Sequence, residues 1–151
     1  MSMADAAQLE MSARRRRVVT SLTMMAMIVQ TLDSTICNVA LPHMAASLGA
    51  TQETISWVLT SYIVSAAIMM PASGWLSNQI GVRRLFLISV GGFTLSSMAC
   101  GAAWSLPSMI LFRVLQGFFG ASMMPLSQTL LFSVYPRSQH GYAMALFGMG
   151  T

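Results

Sequence analysis

Between Trp104 and Val134 the chain carries a single full charge, Arg113, in a run that reads WSLPSMILFRVLQGFFGASMMPLSQTLLFSV. A run of this length and polarity fits a membrane span, because roughly 20 apolar residues cross the hydrocarbon core of a bilayer. A charge at membrane depth is costly and normally faces protein or a watery cavity, so Arg113 marks a functional site and demands a partner.

The same pattern recurs along the chain. Of its 151 residues 55% are hydrophobic and 8% charged, where an ordinary soluble domain carries about 25% charged residues. The spacing predicts helix 1 over 18–41, closed by Pro42, and helix 2 over 55–77, with Pro71 bending it or freeing a backbone carbonyl. It predicts helix 3 over 85–104, helix 4 over 108–134 with Pro107 in its first turn, and the start of a fifth helix over 142–151. The fold class expected is therefore an all-α membrane protein, the first four transmembrane helices and the start of a fifth. Residues 1–17, small, polar or charged, form a loosely ordered cytoplasmic tail ahead of a partial transmembrane domain over 18–151. The first apolar run is too long for a signal-peptide core of about 7 to 15 residues, and more spans follow it.

All eight basic residues are arginines. Arg14 to Arg17 precede helix 1, Arg83 and Arg84 lie between helices 2 and 3, and Arg137 follows helix 4. A cytoplasmic N-terminus puts seven of the eight on the inner side, as the positive-inside rule requires, and leaves Arg113 as the exception. The net charge of +4 is thus topogenic, and nucleic acid is not an expected partner. Cys37 and Cys100 fall in apolar runs without metal spacing, which predicts two free, lipid-embedded thiols and no metal site. Fifteen methionines without a repeated spacing read as membrane packing. His43, in the external connection over 42–54, reads as solvated. No nucleophile, base and orienting group can be assembled from Cys37, Cys100, His43 and His140, so no enzyme is expected.

Helix 1 carries Gln30, Asp33, Ser34 and Cys37 at three- and four-residue steps, which lays them on one face that must meet protein or water. Asp33 lies eight residues inside Leu41, roughly 12 Å deep, and Arg113 six residues inside Pro107, roughly 9 Å deep. Two opposite charges at similar depth should approach each other, directly or through water. Gln30 and Gln116, each one turn further in, extend a polar patch consistent with a hydrated cavity. Gly117, Gly120 and Met124 continue the face of helix 4, where glycines serve either a close approach to whatever lies opposite or plain helix packing. In helix 3, Gly92 with Ser96 and Ser97 with Gly101 read as packing surfaces, not ligands.

Three segments then resemble a known group, the fourteen-helix drug:proton antiporters of the major facilitator superfamily, and within it the EmrB-type multidrug efflux pumps. LDSTICNVALP looks like the helix 1 motif, with Asp33, Asn38 and Pro42 in place, and RVLQGFFGASMMPLSQ looks like the helix 4 motif around Arg113, Gln116 and Gly117. GWLSNQIGVRR resembles the superfamily's cytoplasmic loop between helices 2 and 3: Gly74, Leu76, Gly81 and Arg83 match, while Asn78 replaces the usual aspartate and Val82 the first basic residue.

The resemblance implies the N-terminal part of a six-helix bundle in which helices 1 and 4 line a central cavity. It implies proton-coupled export of amphipathic drugs across the bacterial inner membrane, with Asp33 and Arg113 in proton coupling. Gln30, Asn38, Gln116, Gly117, Gly120 and Met124 would line the cavity, and Met24, Met27, Met124 and Phe119 would be adaptable substrate contacts. Partial dehydration would favour protonated Asp33 and Arg113 the ionised form, so the proton would exchange as access alternates. The energy source would be the proton gradient, without a cofactor, and a periplasmic adaptor and outer-membrane channel are implied as partners beside the lipid bilayer. Two alternatives stay open: export of a dedicated metabolite such as a fatty acid, and a truncated four-span scaffold that does not transport.

Overall fold

The structure is a computed structural model that describes residues 3–47, 49 and 51–149, and most of them are helical. The helices are α1 (Met3–Ser47), α2 (Gln52–Ile80), α3 (Val82–Gly101), α4 (Leu106–Gly120), α5 (Met123–Val134) and, after a short 3-10 turn at Arg137–Gln139, α6 (His140–Met149). Four stretches are long and apolar enough to cross a membrane: Ala13–Ala40, Glu53–Ile80, Val82–Gly101 and Leu106–Val134. The chain is thus the all-α membrane protein its hydropathy implies.

At α1 the structure departs from expectation at both ends. Residues 3–17 continue the helix instead of forming a loose tail, and the sequence allows it: Ala, Gln, Leu, Glu, Met and Arg are good helix formers, and neither Gly nor Pro occurs before Pro42. Pro42 does not close the helix, which runs on to Ser47. Proline removes one N–H and so deprives the carbonyl four residues back of its partner. That loss is cheapest near a helix end, and Pro42 is exposed there. With α2 starting at Gln52, the connection expected over 42–54 is largely helical. The Thr51 hydroxyl caps α2 by accepting from the Thr54 N–H at 3.2 Å.

The segment GWLSNQIGVRR, read as a loop, is also helical on both sides of one residue. Gly81, at φ +87° and ψ 141°, is the whole connection between α2 and α3. A side chain is disfavoured at this φ, so glycine is required for so tight a reversal. Its N–H donates to the Ser77 carbonyl at 3.0 Å and its carbonyl accepts from the Leu85 N–H at 3.0 Å, so helical bonding runs up to the glycine from both sides.

The fourth span enters through a reciprocal cap between Ser105 and Ser108, with Pro107 in the first turn. It is interrupted at Ala121 and Ser122, which keep helical dihedrals (φ −55°, ψ −35° and φ −83°, ψ −18°). Pro125 explains the place: it has no N–H for the carbonyl of Ala121, four residues back. The ladder resumes at once with the Leu126 N–H on the Ser122 carbonyl at 3.1 Å.

α4 packs against α2 and α3, and α5 against α1 and α3. In lipid, helices associate through close packing and hydrogen bonds more than through burial of apolar area, and Gly117 shows how close. A Cβ there would run into the backbone carbonyl oxygen of Tyr62 on α2. Two apolar clusters result. Ala26, Met27, Leu85, Phe86, Phe93, Met123, Leu126 and Leu131 fill the arginine-bearing end, while Cys37, Ala45, Ile55, Val58, Cys100 and Met109 fill the opposite end. Both thiols, expected in lipid, are buried within the protein. Neighbouring helices shield them, as their small size invites.

Candidate functional site

Between the two clusters lies a layer of polar side chains contributed by α1, α3 and α4. Asp33 and Arg113, on helices far apart in sequence, meet with Arg113 Nη1 3.0 Å from Asp33 Oδ2. Their side chains are 14% and 8% exposed, so the pair is nearly removed from solvent. Because α1 and α4 run in opposite directions across the layer, residues at equal depth from the same end fall side by side. The depth arithmetic predicts this from the sequence.

Each charge has a second partner. The Ser97 hydroxyl of α3 donates to Asp33 Oδ1 at 2.9 Å, so both carboxylate oxygens are engaged. Arg113 Nη1 also donates to Gln116 Oε1 at 2.8 Å, from three residues along the same helix face. Cys100 Sγ lies 3.6 Å from the same Gln116 oxygen as a weak donor. The Tyr62 ring of α2 lies beneath the guanidinium, with Arg113 Cζ 6.0 Å from its centroid, at the outer limit of a cation–π contact. Arg113 Nε and Gln116 Nε2 have no hydrogen-bond partner among the described residues. No group of three or more His, Cys, Asp or Glu that could hold a metal occurs among them either.

The other expected site residues distribute unevenly. Gln30 does not continue an open polar path: its Nε2 donates at 3.3 Å to the carbonyl of Gly120, the last residue before the interruption in the fourth span. A side chain of α1 thus supplies a donor where the helical ladder is disturbed. Gln116 is fully buried and tied to the pair. Gly117 meets α2, and a Cβ at Gly120 would lie 3.1 Å from the Phe93 ring and 3.2 Å from the Tyr62 hydroxyl, so both glycines serve close packing. Asn38 and Met124 are exposed. Ser34 turns back to its own helix, donating to the Gln30 carbonyl at 3.1 Å.

Among the expected substrate contacts, Met27 is buried in the apolar cluster, and Phe119 fills the space that Gly92 leaves. Gly74, Leu76 and Asn78 lie within α2, Gly81 makes the reversal, and Arg83 is exposed in the first turn of α3.

Two residues of the site were not anticipated. Ser97 was read as a packing residue paired with Gly101, but it is a ligand of Asp33, and a Cβ at Gly101 would meet nothing within 4 Å. Depth is the available signal: Ser97 lies seven residues inside Trp104, where the sequence ends helix 3, roughly 10 Å deep and level with the two charges. Tyr62 carried no signal, since an aromatic in a span is ordinary. An open apolar groove adjoins it, lined by Tyr62, Ile63, Ala66, Ala67, Met70 and Pro71. Tyr62 thus belongs both to an apolar groove wall and to the surroundings of Arg113.

Residues 23–151 match the family profile of the Major Facilitator Superfamily. Over 125 residues, 83% of this chain and 24% of the relative, the sequence is 46% identical to the multidrug export protein EmrB of Haemophilus influenzae. It is 44% identical, with the same coverage, to the EmrB of Escherichia coli (strain K12). To the fatty acid resistance protein FarB of Neisseria gonorrhoeae it is 42% identical over 125 residues, 83% of this chain and 25% of the relative. The chain spans about a quarter of the length of these curated relatives.

Proposed function

Since the chain belongs to the Major Facilitator Superfamily, we propose that it is the amino-terminal part of a proton-driven exporter of amphipathic drugs, set in the bacterial inner membrane with its N-terminus in the cytoplasm. The observation that carries this reading is the Asp33–Arg113 pair, held at 3.0 Å between two apolar clusters. A charge pair withdrawn from water in a membrane span is expensive to keep for packing alone. The multidrug export relatives supply the transported class.

The chemistry follows from the partners. With Asp33 ionised, Arg113 and Ser97 both donate to it. When a proton arrives on Asp33, the counter-charge of Arg113 disappears, but the guanidinium keeps Gln116 Oε1 as a neutral acceptor. The arginine then lacks a counter-charge and is held by that neutral acceptor alone, so the contact between α1 and α4 weakens. Loading and unloading of one proton would thus loosen and tighten two spans, the coupling that alternating access requires. The apolar groove beside Tyr62 suits the body of an amphipathic molecule.

The FarB relative favours a second reading, export of a fatty acid by the same machinery. A carboxylate cargo would compete with Asp33 for Arg113, whereas a cationic drug would not. Either would work with an adaptor and an outer-membrane channel. The test uses the full-length protein in proteoliposomes with an imposed pH gradient, comparing ethidium with oleate. Asp33→Asn should abolish gradient-driven accumulation while leaving substrate binding measurable, and Arg113→Ala should abolish accumulation too. Normal coupling in correctly inserted Asp33→Asn protein would remove the proton-carrier role.

A further inference from the structure

Hydroxyl groups in membrane helices normally bond back to a carbonyl three or four residues earlier on the same helix. Most of those in this chain do: Thr23 to Val19, Thr35 to Thr31, Thr94 to Val90 and Thr129 to Pro125. Ser96 does so as well, donating to the Gly92 carbonyl at 2.8 Å. Its neighbour Ser97 instead crosses to another helix and donates to a carboxylate at 2.9 Å. The two serines share a helix turn and differ in what lies opposite, and what lies opposite Ser97 is the Asp33 carboxylate.

We propose that Ser97 is a positioning residue of the proton site, whose hydroxyl favours the ionised state of Asp33 and releases to its own helix when Asp33 takes a proton. This rests on the reading of Asp33 as the proton carrier and deepens it by making α3 a participant. The hydroxyl can donate to a carboxylate or, after one rotation, to the carbonyl of Phe93 four residues earlier, in the geometry Ser96 already uses. Both states of Asp33 therefore leave the Ser97 donor satisfied, which a donor with one partner would not achieve. A hydrogen bond to the charged form of an acid makes the acid harder to protonate, so Ser97 sets the acidity at which the site loads. The other titratable groups around Asp33 are Arg113 from α4, Cys37 on α1, Cys100 on α3 and, beneath the arginine, Tyr62 on α2.

The experiment is an infrared titration of the full-length protein in lipid between about pH 5 and pH 8, below the range where ordinary phenols ionise. It follows the protonated-carboxyl band that Asp33→Asn removes, with Cys37→Ala/Cys100→Ala as background so that no thiol titrates. Ser97→Ala should move the midpoint of that band upward by about one pH unit, the worth of one hydrogen bond to a charged group. Ser97→Thr, which restores a hydroxyl, should return the midpoint to within about 0.3 unit of the parent. Ser96→Ala, which removes a hydroxyl bonded within α3, should leave it unchanged. A midpoint unmoved in Ser97→Ala, or moved equally in Ser96→Ala, overturns the role of Ser97 alone. Absence of any band that Asp33→Asn removes overturns the proton-carrier reading, and the positioning role with it.

Discussion

Two arginines of this chain face opposite problems. Arg113 lies about a quarter of the way along the fourth span and is held by a carboxylate at 3.0 Å and an amide oxygen at 2.8 Å. Arg16 lies near the start of the first span, and its contacts among the described residues are neutral: the Tyr135 ring, with Cζ 5.3 Å from the centroid, and Gln139 Oε1 at a long 3.4 Å. Tyr135 is steadied in turn by the Thr20 hydroxyl, 3.2 Å from its own. The difference shows what depth does to a charge. Where water reaches, a guanidinium can be spent on stacking and on tying α1 to the turn before α6. Where water is excluded it needs a counter-charge, and that charge must come from another helix.

The strongest way to break this comparison is to remove each member of the deep pair from the full-length protein and measure thermal stability in detergent. Asp33→Ala strands a guanidinium that cannot give up its proton, and should cost about 3–5 kcal/mol. Arg113→Ala strands a carboxylate, which unlike a guanidinium can be neutralised by a proton, so it should cost less. The double variant Asp33→Ala/Arg113→Met should be more stable than Asp33→Ala, because it leaves no unpaired charge. Additive losses in the double variant would mean that the two side chains contribute independently.

That pair was legible in the sequence because depth and sign are both one-dimensional information. Asp33 and Arg113 are the only charges in the apolar runs 18–41 and 108–134, and a count of residues from each helix end sets them level. Much of the remainder was not legible, for physical reasons. Ser97 has the right depth, but its four-residue spacing to Gly101 suits packing equally well, and only the position of Asp33 gives its hydroxyl a partner on another helix. The stretch from Gly74 to Arg84 has the composition of a loop, yet helical bonding continues to Ile80 and a single positive φ at Gly81 makes the reversal. Pro42 carries the usual mark of a helix end, but the chain tolerates it where the lost bond lies near an exposed terminus. Pro125 has the opposite history: its lost bond falls inside a span and interrupts it.

A second test asks whether close packing is what makes the environment of Arg113 dry. Gly117 lies one turn beyond it, and the approach of α2 to this glycine closes the helices around the layer. Gly117→Ala would push a methyl group into the Tyr62 backbone, which cannot swing aside as a side chain can. It should cost about 1–3 kcal/mol and lower transport through looser seating of the pair. Gly101→Ala, in open space at the end of α3, should change stability by about 0.5 kcal/mol or less. Equal effects at the two positions would show that α2 and α4 do not rely on this contact.

The smallest effect is the one most specific to the comparison. Arg16→Ala removes a partly exposed cation–π contact and one weak hydrogen bond, together worth about 0.5–1 kcal/mol. Since no opposite charge among the described residues faces Arg16, that cost should hardly change between about 0.1 M and 1 M salt, whereas a surface ion pair would be screened over this range. Tyr135→Phe keeps the ring and should retain most of the Arg16 contribution, losing only the hydroxyl contact to Thr20. If Arg16→Ala costs as much as removing a member of the Asp33 pair, or if salt erases its effect, then Arg16 has a counter-charge. The contrast between a charge used at the membrane edge and one paired in its interior would then fail.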